Sequence, residues 1–295
     1  MNKENISGAK VIGANGAGRI EATFARLREQ GAAGLVTFTT AGDPDPDTSY
    51  DILKAVVRGG ADIVELGMPF SDPMADGPII EAAGHRALKG GIRLTQILEM
   101  VQRFRRDDDA TPVILMGYFN PIYHYGVETF CRDAVAAGVD GLIIVDLPPE
   151  EDAELRIPAV HAGLRLIRLA TPTTDEARMP AVLDHASGFV YYVAVAGITG
   201  TKSSVAEEVG KSVAALKAET DLPVAVGFGI KTPEQAAALA QVGDAVVVGS
   251  AIVQIVADNI DEDGRAKPGI ADKVEQFVSS LAGAVRRARR AQETA

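Results

Sequence analysis

One cysteine, four histidines and too few basic side chains to balance the acids are what this 295-residue chain has in short supply. The single cysteine, Cys131, excludes an internal disulfide framework. It falls in the helix-like segment ETFCRDAVAAG, where it reads as a small core residue. The histidines are scattered, with no HExxH and no Cys/His pair spacing, so no built-in metal site is expected. With 29 Lys and Arg against 40 Asp and Glu, the net charge is −11 and no nucleic-acid-binding surface is expected. An anionic substrate would have to be held by local dipoles and backbone donors, against the global field. No apolar run approaches the length of a membrane span. The segment MNKENISGAKVIGANG is polar and glycine-rich and has no apolar signal region, so a cytoplasmic protein with no membrane partner is expected. Residues 1–16 read as a flexible extension and 17–295 as one domain.

What the chain does have is rhythm. Its content is 47% hydrophobic and 23% charged, enough for a sizeable core. Eight short apolar, β-branched runs recur: GLVTFTT from Gly34, ADIVELG from Ala61, PVILMGY from Pro112, GLIIVDL from Gly141, LRLIRLAT from Leu164, GFVYYVAV from Gly188, PVAVGFG from Pro223 and DAVVVGS from Asp244. They are continuously apolar rather than alternating, as strands buried on both faces should be. Between them lie segments of helical spacing. DTSYDILKAVVRGG is expected to start at an Asp47 cap and end in glycines, and TPEQAAALAQVG runs from Thr232 and Pro233 to Gly243. The pattern predicts a (β/α)8 TIM barrel with an extra N-terminal helix over about Gly18–Gln30, covering the barrel bottom, and a further helix around Ile92–Phe104. DNIDEDGRAKPG reads as an exposed insertion, and ADKVEQFVSSLAGAVRRARR as the last helix.

In such a barrel the chemistry lies where strands end. The second strand ends in ELGMPFSDPMADGP, Glu65–Pro78, with three carboxylates in a proline-stiffened segment. A glutamate on the last turn of a strand, pointing into the mouth, is partly desolvated and its pKa raised. Asp76 follows just before Gly77 and Pro78, where a helix starts. Two carboxylates in different environments can divide acid and base roles, although each also fits as a loop-stabilising acid or helix cap. For Asp72, in SDP, a turn role is at least as good a reading. Glycines after strands 7 and 8, in GFGIKTPEQ and GSAIV, predict a phosphate site of bare amides and a helix N-terminus, with Gly200 a third donor; the alternative is that they only make tight turns, and their presence at both loops favours phosphate. Lys231 reads as a surface lysine.

Together these residues resemble the α subunit of tryptophan synthase, from about Arg19 to Arg290. ELGxPFSDPxADGP is intact, and FTTAGDP (38–44), MGYFNPI (116–122), IIVDLP (143–148), ATPTT (170–174), YYVAVAGITG (191–200) and VGFGI (226–230) follow the family's blocks in order. The resemblance implies retro-aldol cleavage of indole-3-glycerol phosphate to indole and glyceraldehyde 3-phosphate. It implies Glu65 as the general acid/base at indole C3 and the side-chain hydroxyl, and Asp76 as the carboxylate stabilising positive charge at the ring N–H. It further implies Phe38, Met116 and Phe228 against indole, and Tyr118 and Tyr191 lining the site. Gly200, Gly227, Gly229, Gly249 and Ser250 would hold the phosphate, and Thr199 would ride on a loop that closes over substrate. No metal or organic cofactor is implied in this chain. The implied partner is a pyridoxal-phosphate (PLP) β subunit in an α2β2 tetramer, facing Pro69, Asp72 and Asn120. The chain departs from the family at Ala194, often serine, and at Gly117, often threonine or leucine.

Three other readings stand beside this one. A sugar-phosphate or aminoimidazole isomerase with paired acids would want one at the end of strand 1, and TFTTAGDP has no acid inside the strand. A partner-activating subunit with decayed catalysis is disfavoured by the presence of both acids and both phosphate loops. A free-standing lyase that releases indole without a partner stays open.

Overall fold

The computed structural model describes residues 18–194, 202–227 and 229–290. Nine parallel strands lie among them: β1 (Gly34–Thr40), β2 (Ile63–Gly67), β3 (Val113–Gly117), β4 (Gly141–Ile144), β5 (Arg165–Leu166), β6 (Arg168–Ala170), β7 (Val190–Val193), β8 (Val224–Gly227) and β9 (Ala245–Val248). The described helices are α1 (Arg19–Glu29), α2 (Pro46–Arg58), α3 (Pro78–Lys89), α4 (Leu94–Phe104), α5 (Phe119–Tyr125), α6 (Val127–Ala137), α7 (Ala153–Ala162), α8 (Met179–Leu183), α9 (Lys202–Glu219), α10 (Pro233–Ala240), α11 (Ser250–Asp258) and α12 (Ile270–Arg290).

The sheet order is β5-β4-β3-β2-β1-β9-β8-β7-β6. Its two outermost strands, β5 and β6, are halves of one run interrupted at Ile167. β5 pairs with β4 and β6 pairs with β7, so that run closes the circle. Eight apolar runs thus build a TIM barrel, with the fifth run split into two short strands.

The continuous apolar runs fill two layers, as strands buried on both faces must. Inward, Val36, Ile63, Ile114, Ile143, Ile167, Phe189 and Ala225 form the barrel core. Ile20, Phe24 and Leu27 of α1 join that cluster, with the Phe24 and Phe189 rings 5.7 Å apart, so α1 plugs the bottom as its apolar spacing predicts. Outward, Leu35, Val64, Leu115, Leu142, Val226 and Val246 pack with the helices. Cys131 lies in this outer layer, and burial pushes its thiol up to about 11.

Local signals set most helix ends. Thr232 caps α10, and Gly59 ends α2. The cap of α2 is not the expected Asp47 but Asp45, which accepts from Thr48 N–H at 2.9 Å and Thr48 Oγ1 at 2.7 Å. Pro46 explains the shift, because its fixed φ and missing N–H suit the first helical position. Asp47 is left exposed, 3.5 Å from Arg103. The insertion after α11 is mostly exposed and folds on itself through an Ile260–Ala266 bridge. No described helix is long and apolar enough to cross a membrane.

Candidate active site

Strand register assembles the site. Phe38 on β1 stands opposite Glu65 on β2, and Glu65 opposite Ile114 on β3. A parallel ladder sends laterally paired residues to the same face, here the barrel interior. Phe38, Glu65, Asp76, Met116, Tyr191, Gly227, Gly229, Gly249 and Ser250 line one cavity of about 160 Å³ at the strand ends, with Ile80 and Ala194. Thr199, Gly200 and Phe228 lie outside the described residues.

Glu65 is 1% exposed, and neither carboxyl oxygen has a hydrogen-bond partner among the described residues. Desolvation, with nothing to offset it, pushes its pKa up to about 8, so the carboxyl holds its proton at neutral pH. Burial and the nearby Glu65 carboxyl hold the Tyr191 phenol far above its ordinary range, so Tyr191 stays neutral.

Asp76 lies just ahead of α3, whose cap Gly77 provides no side chain. Burial raises its carboxyl above the usual aspartate range, and a hydrogen bond from Tyr118 pulls it back. The Tyr118 hydroxyl also accepts from Ala75 N–H at 3.0 Å. Tyr118, Pro69 and Asp76 border a smaller adjoining cavity that shares Phe38 and Met116 with the first. The two acids therefore differ: one is buried without partners, the other is half-buried and hydrogen-bonded. Asp72 and Asn120 are exposed, and Asp72 accepts from Ser71 Oγ at 2.5 Å.

The two glycine loops are not equivalent. At α10 the Thr232–Gln235 capping box satisfies the helix end, with Gln235 Oε1 accepting from Lys231 N–H at 2.8 Å and Thr232 N–H at 3.2 Å. At α11 the cap is Gly249, which makes no side-chain hydrogen bond, so that N-terminus is open toward the cavity. Gly229 is exposed with φ +49°, and nothing lies within 4 Å of its missing Cβ. Gly227 has a steric reason for being glycine: a Cβ there would fall 2.6 Å from Tyr191 Cε2. Gly117 is explained in the same way, since a Cβ would meet Met68 Cβ at 3.0 Å. Asp146, at the end of β4, accepts from Phe119 N–H at 2.9 Å and so caps α5, a link across 27 residues that no local motif announces.

A barrel mouth holding a buried carboxyl, a second acid and an open helix N-terminus is the arrangement of a TIM-barrel enzyme. Residues 24–285 match the model of the family described as "Tryptophan synthase alpha chain". Among solved structures, the chain is similar to tryptophan synthase subunit alpha from Legionella pneumophila str. Paris, at 40% identity and a TM-score of 0.83, covering 91% of this chain and 98% of that one. It is similar to a protein from Aquifex aeolicus VF5 at 36% identity and TM-score 0.82, covering 92% and 100%. It is also similar to a chain of tryptophan synthase from M. tuberculosis in an open form, at 33% identity and TM-score 0.81, covering 92% and 99%. The chain belongs to the tryptophan synthase alpha chain family. It is a lyase of tryptophan biosynthesis that cleaves indole-3-glycerol phosphate to indole and glyceraldehyde 3-phosphate and works with a β subunit.

Proposed function

We propose that Glu65 is the general acid/base of this cleavage and that Asp76 is its electrostatic partner. The observation that carries this reading is the Glu65 carboxyl: buried in the cavity, unpartnered, and protonated at neutral pH. It delivers its proton to indole C3, which turns the ring into a cationic indolenine. Asp76, anionic, stabilises the positive charge at the ring N–H. Glu65, now a carboxylate, takes the proton of the side-chain hydroxyl as the carbonyl of glyceraldehyde 3-phosphate forms. The electron pair of the breaking carbon–carbon bond returns to the ring and restores aromatic indole. Tyr191 and Tyr118 line the site, Phe38, Met116 and Phe228 hold the indole, and Thr199 belongs to the loop that closes over it.

The phosphate is assigned to Gly249 and Ser250 at the open start of α11, with Gly227 and Gly229 lining the same cavity and Gly200 assigned a part by the family likeness alone. The self-capped start of α10 makes α11 the better dipole. The remaining assignments rest on the family likeness: an α2β2 tetramer, pyridoxal phosphate confined to the β subunit, a docking surface at Pro69, Asp72 and Asn120, a cytoplasmic location, and one domain over 17–295.

Glu65→Gln tests the central assignment. It keeps the shape of the side chain and removes the transferable proton. Indole formation should fall by about 10²–10⁴-fold while substrate still binds. Near-full turnover in this variant would overturn the assignment.

A further inference from the structure

A second cavity, of about 370 Å³, is larger than the one at the barrel mouth. It lies outside the barrel wall, between β4, the β5–β6 run, α7 and α8. Its origin is in the chain. The outer layer here is covered by α8, only five residues long, and that leaves a gap over β6. Arg168 faces into this layer, since its neighbours Ile167 and Leu169 belong to the barrel-interior cluster. A charged residue at such a strand position calls for an explanation, because buried cations are tolerated only when paired.

The pairing is incomplete. Arg168 is 9% exposed and lines the cavity. Its guanidinium contacts the buried carboxylate of Asp152, which also accepts from Arg156 Nε at 2.9 Å. Two guanidiniums therefore share one carboxylate. Glu150 pairs with Arg178, Asp146 caps α5, and Asp184 and Glu150 act on Arg168 only through space. Among the described residues, Arg168 Nε is buried without a hydrogen-bond partner. Opposite the charge the walls are apolar, formed by Leu142, Leu155, Leu166 and Val182, and the threonine hydroxyls of 171–174 stand at the rim.

We propose that this cavity is a second binding site, for a small organic carboxylate with an apolar body. The carboxylate completes the Arg168 guanidinium, while the apolar body fills the space under α8. A planar guanidinium with unused N–H groups favours a carboxylate in this position. The site shares no lining residue with the cavity that holds Glu65, so the two are occupied independently.

The experiment uses the full chain and saturation-transfer NMR with 4-methylpentanoate as probe, with and without excess glyceraldehyde 3-phosphate. 4-Methylpentanamide and inorganic phosphate serve as comparison ligands. Binding of the carboxylate at millimolar concentration, unaffected by glyceraldehyde 3-phosphate and weaker for the amide and for phosphate, is expected. Arg168→Met should weaken it by about tenfold or more with lyase turnover essentially unchanged. If Arg168→Met does not fold, Val182→Trp fills the cavity while leaving the Arg168–Asp152 pair intact, and should abolish binding. The proposal is overturned by absence of binding to the wild-type chain, by displacement with glyceraldehyde 3-phosphate, by equal binding of the amide or of phosphate, or by binding that survives the substitution tested.

Discussion

The hydroxyl of Tyr118 ties the end of β3 to the loop ahead of α3 by two bonds: it donates to the Asp76 carboxylate and accepts from Ala75 N–H at 3.0 Å. One hydroxyl has one proton to give, so the direction of each bond is fixed. Burial pushes the phenol up to about 12, which keeps that proton in place through the neutral range.

Tyr118→Phe removes both bonds and keeps the ring that packs on Phe70 at 5.2 Å. The hydrogen bond now lowers the Asp76 pKa, so its loss should raise that pKa further and deplete the anion. Lyase kcat should fall by roughly 10–150-fold, corresponding to a hydrogen bond to a charged group. Steady-state kinetics from pH 6 to 9 would check this, with the loss greatest at the acid end. A uniform loss across pH would disconnect Tyr118 from the ionisation of Asp76.

Glu65 makes stability depend on pH. Its folded-state pKa is about 8 against 4.5 when unfolded, so the folded state binds this proton more tightly. The resulting stabilisation is fully present below pH 4.5 and is lost as pH rises through about 8. Glu65→Gln has no such proton. Its stability relative to wild type should therefore climb between pH 5 and pH 9, by on the order of a few kcal/mol. Urea unfolding at the two pH values measures it, and a flat difference would show that Glu65 ionises as an ordinary glutamate.

Gly227→Ala sets a Cβ against the Tyr191 ring. Overpacking of this kind costs about 1–3 kcal/mol. The thermal midpoint should drop, and the added substitution Tyr191→Val should recover most of the loss. Failure of the second change to rescue the first would locate the strain elsewhere.

Asp45 and Asp47 allow a contrast two residues apart. Asp45→Ala removes the α2 cap and should cost about 1 kcal/mol in denaturant unfolding. Asp47→Ala should lie within error, because the Asp47 carboxylate is exposed and 3.5 Å from an exposed arginine, Arg103. The opposite ranking would return the cap to Asp47.

How much of this could be read from the sequence depended on the range of the cause. Strands buried on both faces write a continuous apolar run, so all eight runs were legible, and with them the strand ends where Phe38, Glu65, Met116, Tyr191 and Gly249 meet. The amphipathic spacing of Ile20, Phe24 and Leu27 announced α1. The break at Ile167 was not legible, because it is set by which neighbour each half pairs with, and no single run records its neighbours. DPDPD offers more than one aspartate as a cap, and Pro46, suited to the first helical position, is the local signal that selects Asp45. The Thr232–Gln235 box is a local signal that a closer reading would have used to tell the two glycine loops apart. Asp146 and Phe119, 27 residues apart, left no trace. The unpaired guanidinium edge of Arg168 depends on the shortness of α8, which is a property of the packed layer.

The interruption at Ile167 makes the fifth run a seam. One half is stitched to β4 and the other to β7, and Ile167 N–H itself donates back to Leu142 O at 3.0 Å. The run is thus never held from both sides over its full length, whereas β1, β2 and β3 are each flanked by two ladders. The acid-bearing strand β2 lies three strands from the seam, in the part of the sheet with the most backbone pairing. By backbone pairing alone, the cylinder is tied least beneath α8 and most around Glu65.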